Sequence, residues 1–523
     1  MEEHEQRIVR FLSRPDSYTH SVGKILRRET HVSHVFLAGP FAYKLKKPVK
    51  FPFLDASTLK HRKRFCRLEL SLNRRLAPAV YLGMVPIAEA AGGLRLGGTG
   101  KTVEWLVKMR RLPEDRMLDQ LVKRRQVSRR DMVRVVDQLI PFFRKAARYR
   151  QIERYGTPVR VAKLVLGNLR ECQPFVGSLL PEADRQFLEA AFRQFLALQE
   201  PLLARRVKER RILDGHGDLR CENICMTDPV SIFDCVEFEP AFRCADAVND
   251  FSFLLMDLEF RGRRDLADAL AAQYRRRVAD PGLESLLPFY KCHRSLVRGK
   301  VRGLAWLQHP RSFEGRRVRE LSRRHFRLAV QYAKRFAKPR LIVVGGLIGT
   351  GKSTLVRSLA QALGAAWLRT DEIRLREFAG ARRSRQGFGE GIYAPHISDL
   401  VYQRLIQRAE ALIRQGRSVI CDGMFSKAGG RELLRQIAKR HQASFHFIVC
   451  IVPRSVALRR VAVRYAKKID ISEAQPAHYD RLRAGFEPVR GWPARDWTRL
   501  SDDRAPAATA QAALEVLRRV FLL

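Results

Sequence analysis

The chain has 523 residues, enough for roughly two to four domains. Its hydrophobic fraction of 46% and charged fraction of 29% exclude wholesale disorder. Ninety-nine Lys and Arg against 54 Asp and Glu give a net charge of +45, which favours contact with a polyanion such as nucleic acid or nucleotide. No apolar run is long enough for a membrane span, and MEEHEQRIVR has no apolar signal core, so a cytoplasmic protein with reduced thiols is expected. Cys221 and Cys225 lack a second Cys/His pair, so no zinc site is expected.

In chain order, an opening helix precedes mixed strands in HVFLAGPFAYKLKKPV, with a turn at Gly39-Pro40. A helix from about Leu59 to Leu76 stops before Pro78, and strands return from Tyr81 to Met109. From Leu118 to Arg211 the pattern is helical. Short strand-like runs follow near His216 and Ser231, and helices continue to about 335. Strands followed by helices predict a bilobal α+β unit. A basic helix ends at Pro339, and LIVVGG opens a second unit. There, strands at 341–345, 366–369, 418–421 and 445–451 alternate with helices at 352–363, 396–415, 430–441 and 454–466, which predicts a parallel α/β sheet. The expected domains are therefore residues 1–335 and 338–523.

The second unit carries Gly346-Leu-Ile-Gly349-Thr-Gly351-Lys352-Ser353-Thr354, a full phosphate-loop pattern between a strand and a helix. Glycines let backbone N–H groups approach phosphates, and the helix N-terminus adds partial positive charge. Lys352 is expected on the β- and γ-phosphates of ATP, with Ser353 on Mg²⁺. Asp371, in LRTDEIR, stands at the carboxyl end of the next strand, placed to accept a hydroxyl proton. Arg374 shares its helical face and would hold an anionic acceptor. Asp422 ends an apolar strand where a second Mg²⁺ ligand belongs. Arg460 and Arg464, four residues apart on a helix, would fold over the phosphates.

In the first unit, HGDLRCEN spans His216 to Asn223. Asp218 and Asn223 keep the Asp-x4-Asn spacing that sets a catalytic base and a Mg²⁺-binding amide in one loop. Asp234, after a short apolar strand, supplies the second Mg²⁺ carboxylate. FAYKLKK offers Lys44, or Lys46 on the same strand face, to clamp the α- and β-phosphates, with Glu69 as ion-pair partner. His216 is read as bracing the loop.

These motifs resemble known families. TDEIR, with the phosphate loop, the SEA segment at Ser472 and FEP at Phe486, resembles the P-loop kinases related to zeta toxin and to the kinase half of polynucleotide kinases. That resemblance implies phosphoryl transfer from ATP to a hydroxyl, with the Asp-x-x-Arg carrying the acceptor base and an acceptor-phosphate ligand. His-Gly-Asp-x4-Asn with the later Asp resembles the aminoglycoside-phosphotransferase family of small-molecule kinases, although no Gly-x-Gly-x-x-Gly precedes the lysine strand. The segment THVSHVFLAGPFAYKLKKPVKFPFLDASTL, joined to a C-terminal P-loop kinase, resembles a bacterial family of phosphotransferase–ATP-binding fusions. The expected function is an ATP- and Mg²⁺-dependent phosphotransferase with an unidentified hydroxyl acceptor. The alternatives are a polynucleotide 5′-kinase or toxin-like nucleotide-sugar kinase, and an ATP-gated regulator that binds nucleic acid or a partner. The arginines of the basic helix (316, 317, 319, 323 and 324) are the candidate nucleic-acid surface.

Overall fold

In the computed structural model the described residues are 2–51, 54–90, 93–378, 391–467 and 475–522. They form two compact units, Met1–Val161 with Leu203–Arg298, and Ala162–Leu202 with Gly299–Leu523. Ser472 lies outside the described residues.

The first unit begins with six antiparallel strands: β1 (Leu26–Glu29), β2 (Ser33–Ala38), β3 (Phe41–Lys46), β4 (Tyr81–Ala90), β5 (Gly93–Leu96) and β6 (Lys101–Arg110). Their order across the sheet is β1-β2-β3-β6-β4-β5. Alternation sends neighbouring residues to opposite faces. Phe36, Tyr43, Leu45 and Leu106 pack with Ile8 and Leu12 of the helix Glu2–Leu12. Leu37, Ala42, Val107 and Met109 pack with Cys66 of the helix Leu59–Asn73. Both faces are thus covered by helices that the apolar periodicity of the sequence selects. Thr58 caps the second helix by accepting from the His61 N–H.

The rest of this unit is helical around a short antiparallel pair, β7 (Ile212–Asp214) with β8 (Cys244–Asp246). The helix Ala247–Phe260 is buried over nearly its whole length, as its apolar residues on every side require. Its buried Asp250 and Asp257 are exceptions that the site below explains.

The second unit is built on five parallel strands: β9 (Arg340–Gly345), β10 (Ala366–Arg369), β11 (Val419–Asp422), β12 (Ser444–Ile451) and β13 (Trp497–Ser501). Their order is β10-β11-β9-β12-β13. β9 is central and buried at every position, which accounts for its uninterrupted apolar run. Leu341 and Val343 pack on one side of the sheet, Ile342 and Val344 on the other.

The compact units depart from the break read at 335–338. Helices Glu182–Leu198 and Phe313–Phe336 belong to the second unit. Leu198 shares an apolar cluster with Ile342 and Val344, and Gln194 donates to the Ser418 hydroxyl at 2.7 Å. Phe195 meets the Phe336 ring at 5.3 Å. Amphipathic helices bury their stripe on whatever apolar surface is available, so sequence adjacency did not reveal this partner. On the basic helix, Phe326 and Tyr332 are core residues, and only Phe313 is open to solvent. Arg323 donates to the Ser178 carbonyl at 2.8 Å.

Candidate active sites

In the first unit, Gly215 to Asn223 form a loop fixed from beneath by the buried helix. The Asp250 carboxylate accepts from the backbone N–H of His216 at 2.6 Å and of Gly217 at 2.9 Å. Asp257 accepts from the Cys221 N–H at 3.0 Å. These bonds justify two carboxylates in an otherwise apolar helix, since buried acids need partners. Gly217 has φ +83°, and an added Cβ would stand 3.0 Å from the Phe242 carbonyl oxygen. No L side chain fits there without strain. His216 is buried, its Nε2 lies 2.9 Å from the Phe233 carbonyl, and burial draws its pKa down. It braces the loop.

Asp218 holds a bidentate pair with Arg220, Oδ1 to Nε at 2.8 Å and Oδ2 to Nη2 at 2.9 Å. Burial opposes its ionisation, but the Arg220 guanidinium outweighs burial and keeps the carboxyl below its usual range. Asn223 Nδ2 donates to Asp218 at 3.0 Å. That leaves the amide oxygen as a hard donor. A short hairpin, Ile224–Cys225 with Ser231–Ile232, brings Asn223 opposite Phe233 and so beside Asp234. Asp234 has φ +62°, uncommon for a residue with a side chain and frequent at functional turns. Its carboxylate is 47% exposed, the least covered acid of the set. An amide oxygen and a half-exposed carboxylate suit Mg²⁺.

Lys44 connects the two parts of this unit: its Nζ lies 2.8 Å from Glu69 and 2.6 Å from Asp234. Lys46, on the same face of β3, reaches Glu69 at 2.5 Å and also pairs with Glu237. The two lysines therefore share one buried carboxylate. Burial opposes ionisation of Glu69 but the lysines prevail, lowering it to about 2. Glu237 goes the other way, pushed up by burial. Sequence reading missed Glu237, Arg220 and Asp250. For Glu237 and Asp250 the signal available was an acid inside an otherwise apolar run, CVEF and AVNDFSF, and Arg220 stands inside HGDLRCEN itself.

In the second unit, Gly346, Gly349 and Gly351 all have positive φ, at +135°, +75° and +80°. Gly351 caps the helix Lys352–Leu363, so the loop's N–H groups and the helix end share one concavity. Lys352 Nζ donates to the Leu347 carbonyl at 2.7 Å. Burial lowers its pKa, while Asp422 and Asp371 raise it. Ser353 lies close enough to Asp422 to lower its pKa. Asp422, raised by burial, also accepts from Trp367 Nε1 at 3.2 Å. A hydroxyl beside a carboxylate again suits Mg²⁺. Thr354 follows, exposed, on the helix. Asp371 lies in the first turn after β10, 3.8 Å from Arg369. Arg369 is also 3.8 Å from Asp422, a bridging cation that sequence reading missed.

Two expected ligands are engaged elsewhere. Arg374 is buried, donating to the Ile392 carbonyl at 2.5 Å and the Ser398 hydroxyl at 3.2 Å, with its guanidinium 4.8 Å from the Tyr393 ring. It ties the start of the helix Pro395–Arg414 to the helix Thr370–Phe378 and does not face outward as an acceptor ligand. Arg460 is bound to Asp502, through the carboxylate at 2.8 Å and the carbonyl at 2.7 Å. Arg464 lies close enough to Lys352 to lower its pKa. Asp502, the partner of Arg460, abuts Gly351, so both arginines lie near the phosphate loop, Arg460 through that carboxylate.

Residues 341–489 match the family model described as "AAA domain". Across nearly the whole chain, the match is to the uncharacterized protein Rv2004c of Mycobacterium tuberculosis, 34% identical over 440 residues that cover 84% of this chain and 86% of the relative. The corresponding protein of Mycobacterium bovis matches equally. The chain belongs to this family. Among solved structures, a choline/ethanolamine kinase family protein from Mesorhizobium loti is 16% identical, covering 63% of this chain and all of its own, with a TM-score of 0.35. The APS kinase CysC of Mycobacterium tuberculosis, in complex with AMPPNP and APS, is 20% identical over 34% of this chain and 98% of its own, with a TM-score of 0.28. The AAA-domain match and the assembled phosphate loop support nucleotide binding by residues 341–489. Among the described residues no helix is long and apolar enough to cross a membrane.

Proposed function

We propose that the chain is a two-site ATP- and Mg²⁺-dependent phosphotransferase. Its first site belongs to an aminoglycoside-phosphotransferase-like kinase domain within residues 1–335. The second belongs to a P-loop kinase within 338–523 related to zeta toxin and polynucleotide kinases. The observation that carries the two-site reading is Lys44 Nζ between Glu69 and Asp234, because a strand lysine paired with a helix carboxylate and set beside the candidate Mg²⁺ acid is the arrangement that clamps nucleotide phosphates in kinases.

At the first site Lys44 holds the α- and β-phosphates, and Glu69 keeps that ammonium charged and aimed. Asp218 accepts the proton of the acceptor hydroxyl as its oxygen attacks the γ-phosphorus; the bond to the bridging oxygen breaks and ADP leaves. Asn223 and Asp234 would hold Mg²⁺, which when bound neutralises charge on the phosphates. At the second site the glycine loop and Lys352 cradle the phosphates, Ser353 and Asp422 would hold the metal, and Asp371 accepts the hydroxyl proton. Arg464 adds a cation toward the γ-phosphate.

The test is transfer of label from γ-labelled ATP to the small molecules of a cell extract. Asp218→Asn and Asp371→Asn should each remove one set of labelled products and lower its rate by roughly 10²–10⁴, while leaving the other set. Both sets persisting in the double variant would refute the proposal.

A further inference from the structure

In the helical part of the first unit, away from the loop of Asp218, lies a cavity of about 270 Å³. Four arginines line it: Arg144, Arg148, Arg211 and Arg277. Ile140, Phe143 and Leu213 give part of the wall an apolar character, and the buried Tyr274 stands among them.

The charges are not balanced locally. Arg277 pairs with Asp137, and Arg211 has Glu209 at 3.6 Å. Asp280, on the cavity wall, is itself taken by the buried Arg206, which also binds Asp246. Arg144 and Arg148 meet no carboxylate among the described residues. Arg144 donates to the Arg277 carbonyl at 3.3 Å. Arg148 donates to the carbonyls of Arg144 at 2.8 Å and Ala146 at 3.0 Å and also to that of Phe143, and Arg211 donates to the Ala279 carbonyl at 3.2 Å, so both also hold helix-end carbonyls. Burial lowers the Arg148 pKa, and the neighbouring Arg210 and Arg211 lower it further, the mark of cations crowded without an anion. The Tyr274 hydroxyl has no hydrogen-bond partner among the described residues, although its ring is fixed against Phe251 at 4.2 Å.

We propose that this cavity binds the phosphate dianion of a small phosphorylated metabolite. The Arg144 guanidinium and the N–H groups of Arg148 not engaged by the helix-end carbonyls would take the phosphate oxygens, contacts for which arginine is suited. Tyr274 would donate one further bond, and Phe143 and Leu213 would cover the organic body. The volume is near the lower end of small-molecule sites, so it fits a sugar phosphate rather than a dinucleotide or an RNA strand. The site is independent of the kinase reading, since neither lysine nor aspartate of the catalytic set lines it.

The experiment uses the full chain with ribose 5-phosphate, ribose and inorganic phosphate as probes, and a non-hydrolysable ATP analogue with Mg²⁺ present throughout to fill the kinase sites. Hydrogen exchange should show protection at residues 144–148 and 274–280 with ribose 5-phosphate at about 1 mM, a concentration that reports weak metabolite sites. Ribose should give none. Arg144→Gln together with Arg148→Gln should weaken binding at least about tenfold, the worth of one charge-assisted bond. Arg144→Gln alone, at an exposed position, should weaken it in the same direction even if the double variant does not fold. Absence of protection in these two segments, or equal affinity in Arg144→Gln, would overturn the proposal. Equal protection by inorganic phosphate would overturn the part assigned to the organic body.

Discussion

Replacing Arg220 by Gln tests whether Asp218 is set up as an ionised base by its neighbour. In the wild type the pair is bidentate at 2.8 and 2.9 Å, and Arg220 is 8% exposed. Breaking a buried pair from one side costs about 3–5 kcal/mol. Because the Asp218 side chain is 25% exposed, water recovers part of that, and about 2–3 kcal/mol is expected at pH 7. Glu222 loses one partner but keeps Arg261 at 3.0 Å, so the cost falls mainly on Asp218. For a unit of this size that corresponds to a fall in Tm of about 4–12 °C. The pH dependence follows from the same pair. In the wild type the folded-state pKa of Asp218 is depressed, so its stabilisation is present above the unfolded carboxyl pKa and is lost as pH falls through the lower folded value. Removing Arg220 leaves burial dominant and raises that pKa. The acid limb of the rate profile at the first site should therefore move up toward neutral pH. Calorimetry and a pH–rate series on the full chain measure both effects. A variant with wild-type Tm and an unmoved acid limb would refute the assignment of Arg220 as the group that keeps Asp218 ionised.

Two further substitutions separate loop geometry from ligand contacts in the second unit. In Gly351→Ala the new Cβ would fall 1.6 Å from an Asp502 carboxylate oxygen at a backbone φ of +80°, so nucleotide affinity should drop at least about tenfold, a strain cost of order 1–3 kcal/mol. Adding Asp502→Ala should restore only part of it, because the backbone strain remains; full recovery would show that φ is unimportant there. Arg374→Ala should destabilise the chain by about 1–3 kcal/mol for the lost bonds to Ile392 and Ser398, read as a lower Tm, with little change in ATP affinity. An unchanged Tm with a raised acceptor KM would return Arg374 to the substrate.

The alternating strands of the second unit and its phosphate loop were legible because each rests on local chemistry: a β-branched run, glycines at a fixed spacing, a helix start. The strand read at 418–421 spans Val419–Asp422, one residue along, which leaves Asp422 at the carboxyl edge as required. Motif spacing singles out Lys44, Asp218, Asn223 and Asp234, with Glu69 as the lysine's partner, and the fold sets Lys44 against Glu69 and Asp234, and Asn223 against Asp218. Long-range packing and charge balance were not legible. Nothing local to Glu182–Leu198 shows that Leu198 is buried with Ile342, or that Lys46 reaches Glu237. Arg374 and Arg460 matched a motif or a spacing, yet each is held by a partner on another element, Ile392 and Asp502. The basic helix shows the same limit, because its Phe326 and Tyr332 are core residues.

The central claim is two nucleotide sites in one chain, and binding stoichiometry tests it most directly. Titration of the full chain with a non-hydrolysable ATP analogue and Mg²⁺ should saturate at two per chain. Lys352→Ala and Asp234→Asn should each reduce this to one, and together to none. A wild-type value of one that Asp234→Asn leaves unchanged would contradict the account, leaving the phosphate loop as the sole nucleotide site.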